Sequence, residues 1–293
     1  MIRKLGLIGI SLFIGFLLSQ SLPLCLQPAE AGAGDQFQPV KERLVQSGLE
    51  RWLVEQAFEP PLDLKLDTVA LALRIREGRL NYQQYLQPWA LKKAERFLQR
   101  HETLFDQVES RFSVNRQTIT AILLIETRIG GYTGTTPVLD ILATLSLMDR
   151  PEYQDRIWSM LSPEDRKEYG RAAIDRRLDS RAERARKDLR ALLDWYRDRP
   201  GQLTSLKGSI MGAVGWPQFL PDNVEPYGVD GDNDGRIDLF DPADAIFSVA
   251  KYLRAAGWRS DRPQAKERAI LRYNRSRPYM RTVMQIAETL KTS

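Results

Sequence analysis

The sequence predicts a mainly α-helical protein, α+β in class, whose β part is small enough to be one short sheet or hairpin. Three observations carry this. Apolar residues recur at helical spacing along most of the chain beyond its amino terminus. Proline, serine, asparagine and aspartate stand where those helices would begin. The regular alternation of a large sheet is absent. At 293 residues the chain is long enough to bury a substantial core, in one large domain or two small ones.

At the amino terminus, Arg3 and Lys4 precede the uncharged run Leu5–Leu18, and Ala29-Glu30-Ala31 follows. That order reads as a secretory signal peptide over residues 1–31. The apolar run is short for a membrane span. Cys25, the only cysteine, follows the bulky Leu24, whereas lipidation motifs take a small residue there. The expectation is a secreted, periplasmic or cell-envelope protein, soluble after signal cleavage and needing no disulfide. A net charge of +5 suits an anionic polymer partner. The basic residues are scattered among acids, with neither a zinc-finger cysteine set nor an aromatic-basic module, so no nucleic-acid partner is expected. The single histidine, His101, excludes histidine-rich metal sites and argues against a Ser-His-Asp enzyme. It follows Arg100 in a charged helical stretch and is expected to face solvent.

Phe37 to about Ala57 reads as one short helix carrying Val40, Leu44 and Leu49, interrupted by Pro60-Pro61. A stronger helical pattern starts at Pro88 and draws on Leu91, Ala94, Phe97 and Leu98. Leu104 to Val114 then leads into the stretch that organises the chain, Asn115–Gly131. Asn115 is placed to cap a helix, Ile119–Ile125 is almost wholly apolar, and Gly130-Gly131 supply a stop. Apolar residues surround the axis, so the helix should be buried. It holds one carboxylate, Glu126, with Ile119, Ile122 and Leu123 on the same face. Such a group either finds a partner, Arg128 being nearest in sequence, or acts as a catalytic acid with a raised pKa in an apolar cleft. After Pro137, Val138–Leu147 favours a helix. Asp140, at its start, is either the nearest second carboxylate or that helix's cap. Ser162-Pro163 opens a charged, solvated helical segment that keeps Leu189, Leu192, Leu193 and Trp195 on the core side.

Asp230–Asp241 reads D-G-D-N-D-G-R-I-D-L-F-D. Carboxylates fall at loop positions 1, 3, 5, 9 and 12, namely Asp230, Asp232, Asp234, Asp238 and Asp241. Gly235 takes the sixth position, and Arg236 at the seventh can offer only its backbone carbonyl. This is an EF-hand-like array of hard oxygen donors for a structural Ca2+, the alternative being an acidic turn that binds nothing tightly. Asp241 replaces the usual longer glutamate and, followed by Pro242, also fits a helix cap. Pro226 and Gly228 on the entry side do not resemble an incoming helix, which favours a structural clip over a sensor.

Just upstream lies G-S-I-M-G-A-V-G-W-P-Q-F-L-P, Gly208–Pro221. Its glycines permit close backbone approach, and Ser209, Gln218 and the aromatics there can line a pocket for a polar ligand. Tyr273-Asn274-Arg275-Ser276-Arg277-Pro278-Tyr279 repeats that chemistry, although aromatics serve equally well as core. Together with I-E-T-R at Ile125–Arg128, L-A-T-L at Leu142–Leu145 and D-A-I-F-S-V-A-K-Y-L at Asp244–Leu253, these segments make residues 32–293 resemble the lytic murein transglycosylase B family. The resemblance implies a lysozyme-like catalytic core with a helical N-terminal part packed on it and the charged segment 163–197 inserted. It implies Glu126 as catalytic acid/base, substrate contacts from Ser209, Gln218, Tyr273, Asn274 and Tyr279, and calcium in the acidic loop. The substrate implied is the glycan strand of peptidoglycan, cut at the β-1,4 bond between N-acetylmuramic acid and N-acetylglucosamine to leave a 1,6-anhydromuramic end. No organic cofactor is expected; cell-wall synthesis or remodelling proteins are the expected partners. A hydrolytic muramidase or a non-catalytic peptidoglycan-binding protein would use the same fold. The chain departs from the family pattern at Met211, Leu220, Asp222-Asn223 and Ile129, which bears on subsites more than on the reaction.

Overall fold

Proline in the first turn opens α1, α4, α8, α9, α12 and α13, and Ser162 and Asp241 add side-chain caps, as the sequence predicts. The computed structural model describes residues 35–59, 61–75 and 80–292, so the expected signal peptide lies outside the described residues. The helices are α1 (Gln38–Gln46), α2 (Arg51–Ala57), α3 (Leu66–Arg74), α4 (Pro88–Arg100), α5 (Glu102–Phe112), α6 (Arg116–Thr127) and α7 (Val138–Leu145). They continue with α8 (Pro151–Met160), α9 (Pro163–Tyr169), α10 (Arg171–Trp195), α11 (Val224–Tyr227), α12 (Pro242–Ala255), α13 (Pro263–Tyr273) and α14 (Arg277–Thr292). The single helix expected over Phe37–Ala57 is two, because the chain turns at Gly48 with φ +98°. The charged segment is likewise broken at Gly170, φ +72°, into α9 and α10. Ser162 caps α9 through Asp165 N–H at 3.1 Å, and Asp241 caps α12 through Ala243 N–H at 2.6 Å.

Two apolar clusters hold these helices. One is built from α4, α5, α6, α12, α13 and α14, around Phe105, Ile122, Tyr252, Tyr273 and Tyr279. The other is built from α1, α2, α3, α7, α8 and α10, around Leu53, Leu73, Leu142 and Leu189. Trp195 packs against both, and its Nε1–H donates to Ile237 O at 3.2 Å. The buried face of α10 also carries an acid, Asp188, 1% exposed, whose Oδ1 accepts from Asp222 N–H at 3.2 Å. Burial pushes its carboxyl up to about 7 against the pull of that N–H and of Arg184 and Lys187.

The β part is a two-stranded antiparallel pair, β1 (Thr136–Pro137) with β2 (Lys207–Gly208), in which Thr136 faces Gly208. It is no local hairpin, since α7 to α10 intervene. The pairing lays the loop after α6 beside the Gly208–Pro221 loop. A Cβ at Gly134 would stand 2.0 Å from Gly208 O, so only glycine admits this backbone approach.

Candidate active site

Helix α6 brings Glu126 into place, and it is buried as its pattern requires: every residue from Thr118 to Thr127 is enclosed. Its start differs from expectation. Asn115 adopts the extended cap backbone without a side-chain cap bond. Glu109 instead accepts Arg116 N–H at 2.8 Å and binds the Arg116 guanidinium. The end also differs. The chain turns before the glycines, with positive φ at Arg128, Ile129 and then Gly130. Ile129 N–H reaches back to Leu123 O at 2.9 Å. Thr127 Oγ1 accepts Gly130 N–H at 3.0 Å and donates to Trp216 O at 3.1 Å, which ties the helix end to the glycine-rich loop.

Glu126 is 3% exposed. The Tyr279 hydroxyl, at the start of α14, donates to its Oε1 at 2.7 Å. Tyr82 meets the Tyr279 ring edge-on at 6.0 Å. Burial raises the Tyr279 phenol well above its ordinary value, and the charges of Glu126 and Tyr273 add to this, so it remains a proton donor. Tyr273 is raised by burial and then by Glu126, and its hydroxyl donates to Pro217 O at 2.5 Å. Tyr85 is pushed up to about 12 by burial, against Arg128 and with Glu126. Three phenols therefore lie around the acid. Asp140 lies in the first turn of α7, where Lys65 Nζ pairs with it at 3.6 Å and opposes the rise that burial imposes.

The structure brings Tyr279 and Tyr273 to Glu126; the other expected contacts make the following bonds in their own segments. Ser209 Oγ accepts the N–H groups of Met211 and Ala213 at 3.2 and 3.0 Å, holding its own turn. Gln218, at φ +51°, donates from Nε2 to Thr133 O at 3.1 Å and Gly215 O at 2.8 Å, joining the two loops. Asn274 terminates α13 and is buried. Sequence reasoning missed the exposed aromatics beside this wall. Trp89, 46% exposed, lies under the Arg128 guanidinium at 5.7 Å, and Tyr132 is 39% exposed. Trp89 directly follows Pro88, which marked a helix start and drew attention from its neighbour. His101 is half-buried rather than solvated: its ring packs on Phe97 at 4.7 Å, because it forms the joint between α4 and α5.

In the acidic loop, carboxylate oxygens of Asp230, Asp232 and Asp244 lie within 4.8 Å of one another, the gathered group among the described residues. Asp244 was not among the expected ligands; its acidic side chain in the first turn of α12, just past the loop, is the signal that could have found it. Its two oxygens accept Gly231 N–H at 2.7 Å and Asp238 N–H at 2.6 Å. Asp234 and Asp238 spend an oxygen each on the backbone of Arg236 and Phe240. Asp241 Oδ1 caps α12 through the N–H groups of Ala243 and Asp244. Burial raises Asp244, and the charges of Asp232 and Asp241 add to it despite the two N–H donors. Asp232 also ends above its ordinary value: Asp234 N–H lowers it, but desolvation and the charges of Asp234 and Asp241 prevail.

The family model described as "Transglycosylase SLT domain" matches residues 32–268, most of the chain. The chain belongs to the transglycosylase SLT-domain family. Among relatives of this SLT-domain chain, Membrane-bound lytic murein transglycosylase B of Escherichia coli (strain K12) is 33% identical over 175 residues, 60% of this chain and 40% of that protein. The match thus spans well under half of the curated relative. The E. coli lytic transglycosylase Slt35 in complex with calcium superposes with TM-score 0.68 at 22% identity, covering 87% of this chain and 92% of that one. SltB3 from Pseudomonas aeruginosa, in complex with NAG-NAM-pentapeptide, gives 0.69 at 20% identity, covering 88% and 79%. The SLT-domain fold is thereby the mainly helical, lysozyme-like one with a minimal sheet.

Proposed function

We propose that this protein is a peptidoglycan lytic transglycosylase that cuts the β-1,4 bond between N-acetylmuramic acid and N-acetylglucosamine and leaves a 1,6-anhydromuramic end. The observation that carries the proposal is Glu126, 3% exposed in an apolar helix with its Oε1 held by the Tyr279 hydroxyl. An apolar wall favours the neutral acid, and a donated hydrogen bond favours the anion. A group that gives a proton and then takes one back must visit both states. Glu126 protonates the bridging oxygen as the glycosidic bond breaks. The C6 hydroxyl of the same muramic residue then attacks the anomeric carbon, and Glu126 accepts its proton.

An internal nucleophile explains a single carboxylate. Its effective concentration far exceeds that of a separate one, whereas ordinary glycoside hydrolysis needs two carboxyl groups flanking the bond. Asp140, the nearest other acid in sequence, is already committed to Lys65. Tyr279 and Tyr273 hold the acid's surroundings, while Ser209, Gln218 and Asn274 shape the loop walls against which sugar rings pack. NAG-NAM-pentapeptide bound to SltB3, and the transglycosylase name of the E. coli relative, support the substrate class.

Calcium fits the acidic loop, whose donors are all oxygen and whose clustered carboxylates repel one another without a cation. Asp230 and Asp232 would hold it, with Asp234, the Arg236 carbonyl, Asp238 and Asp241 as the remaining EF-hand-like positions. Calcium in Slt35 supports this. The ion would brace the segment leading into α12, away from the scissile bond. Secretion after signal cleavage places the enzyme in the periplasm or cell envelope with its substrate, where cell-wall synthesis or remodelling proteins are the partners. The test is digestion of purified peptidoglycan by wild type and Glu126→Gln, with the products weighed. Anhydro ends, one water lighter than reducing ends, should come from wild type alone. Reducing ends from wild type, or undiminished turnover by the variant, would overturn the assignment.

A further inference from the structure

Residues 215–218 form a tight turn, closed by Val214 N–H to Phe219 O at 2.8 Å and Phe219 N–H to Val214 O at 3.2 Å. Polar backbone groups at the tip of so short a turn must find partners on neighbouring elements. Trp216 N–H donates to Leu239 O of the acidic loop at 2.8 Å. Trp216 O accepts the Thr127 hydroxyl at 3.1 Å, and Pro217 O accepts the Tyr273 hydroxyl at 2.5 Å. One turn thus joins the acidic loop, the end of α6 and the end of α13. Its anchor is firm. Leu239 is wholly buried, an added Cβ at Gly215 would stand 2.4 Å from Leu239 O, and Trp195 holds Ile237 O two residues earlier.

The end of α6 needs holding. Arg128 and Ile129 follow one another at φ +53° and +55°, a left-handed run that only glycine enters freely. The strain is greatest for β-branched Ile129, and such backbone persists only where its surroundings impose it. Thr127, the last residue of α6 and the neighbour of Glu126, closes this turn through Oγ1, which accepts Gly130 N–H at 3.0 Å. Trp216 bears on both ends of it. Its carbonyl holds Thr127, and its ring lies on Gly130, where an added Cβ would stand 2.1 Å from the indole. Phe97 of α4 packs on the same indole, with ring centres 5.9 Å apart, so the ring is itself fixed.

We propose that Trp216 is a positioning residue for Glu126: anchored on Leu239, its ring and carbonyl hold the strained end of α6 in the pose that keeps Glu126 against Tyr279. The inference rests on the functional reading above, since it takes Glu126 as the reacting acid. The 2.7 Å bond from Tyr279 to Glu126 tolerates little movement of the helix end. A displacement of about 1 Å at a reacting group can cost on the order of 100-fold in rate. The acidic loop thereby contributes to the rigidity of the site through a backbone bond.

The test measures kcat, KM and the pH–rate profile on peptidoglycan fragments, well below each variant's melting temperature. Trp216→Ala deletes the ring and keeps the backbone bonds; Thr127→Val keeps the side-chain shape and deletes the hydroxyl. Each should lower kcat roughly 10- to 100-fold with KM nearly unchanged. The apparent pKa of the alkaline limb should rise, because Glu126 displaced from Tyr279 loses the donated bond that favours its anion. Trp216→Phe and Thr127→Ser should recover most of the loss. The double variant Trp216→Ala/Thr127→Val should be little worse than the worse single one, since both act on one helix end. If Trp216→Ala folds too poorly to assay, Thr127→Val against Thr127→Ser decides alone. An unchanged kcat overturns the proposal, as does a rise in KM in its place, which would make Trp216 a substrate contact. Either result leaves the enzyme assignment intact while Glu126→Gln is inactive. Reducing ends released by wild type and variants alike would overturn the transglycosylase reading and leave Trp216 as the brace of the acid.

Discussion

The hydroxyl of Tyr279 donates to Glu126 Oε1 at 2.7 Å, joining α14 to α6 across 153 positions of sequence. Both residues are almost wholly buried, so water cannot substitute for the bond. Tyr279→Phe removes the donor while keeping the ring that packs on Tyr82. Its kcat should fall roughly 10- to 100-fold, the usual worth of one preorganised group beside a reacting acid, with KM changed much less. Steady-state kinetics on peptidoglycan fragments check this. A large rise in KM at constant kcat would mean that Tyr279 meets substrate rather than holding Glu126.

The loop pairing gives a second expectation. At Gly134, φ is +98° and an added Cβ would stand 2.0 Å from Gly208 O and 2.8 Å from Ser209 N, both backbone atoms that cannot move aside. Gly134→Ala should therefore separate β1 from β2 and lower stability by about 1–3 kcal/mol. Activity should fall further than stability accounts for, because Gln218 bridges the same two loops through Thr133 O. Thermal melts beside activity measured well below the melting temperature separate the two effects.

What was legible in the sequence follows from the range of the interactions involved. Buried α6 and its acid were readable because a helix apolar on all sides has nowhere else to go. Ser162 and Asp241 were readable as caps because a cap bond spans only two or three residues. Asn115 looked like a cap for the same reason, yet Glu109 on the preceding helix took over that function. The sheet could not be placed, since Thr136 and Gly208 pair across the whole of α7 to α10 in the chain. Tyr279 was legible as part of an aromatic, polar segment and through family resemblance; its bond to Glu126 depends on how α14 lies along α6. Spacing within the acidic loop counted its carboxylates and allowed the Asp241 cap, but could not foresee that Asp244 would turn back from α12 onto the loop.

Metal dependence is expected to be a matter of stability. Calcium added to metal-free protein should raise the melting temperature, the gain reaching about 2.7 kcal/mol at a hundredfold excess over Kd. Asp230→Asn/Asp232→Asn should abolish that gain, since both carboxylates belong to the gathered group. Asp244 is unsuitable for this comparison because its oxygens already hold Gly231 and Asp238 N–H. Equal melting temperatures with and without calcium in the wild type would count against the loop as a metal site.

Asp188 supplies a pH dependence of opposite origin. Its carboxyl titrates near 7 in the folded chain, against the ordinary 3.8, because burial outweighs the Asp222 N–H and the Arg184 and Lys187 charges, with Asp222 adding repulsion. Between those values the native state keeps a proton that the unfolded chain has released. Stability must therefore fall as pH rises from about 4 to about 7, and level off above. Asp188→Asn cannot ionise, and its amide oxygen can still accept the Asp222 N–H bond. The variant should melt several degrees above wild type near pH 8, at about 2–4 °C per kcal/mol for a chain of this size. The gap should close toward pH 4, where the wild-type carboxyl is neutral in both states. A gap that stays constant across this range would mean that Asp188 is charged in the native protein, held by Arg184 and Lys187 more firmly than its burial opposes.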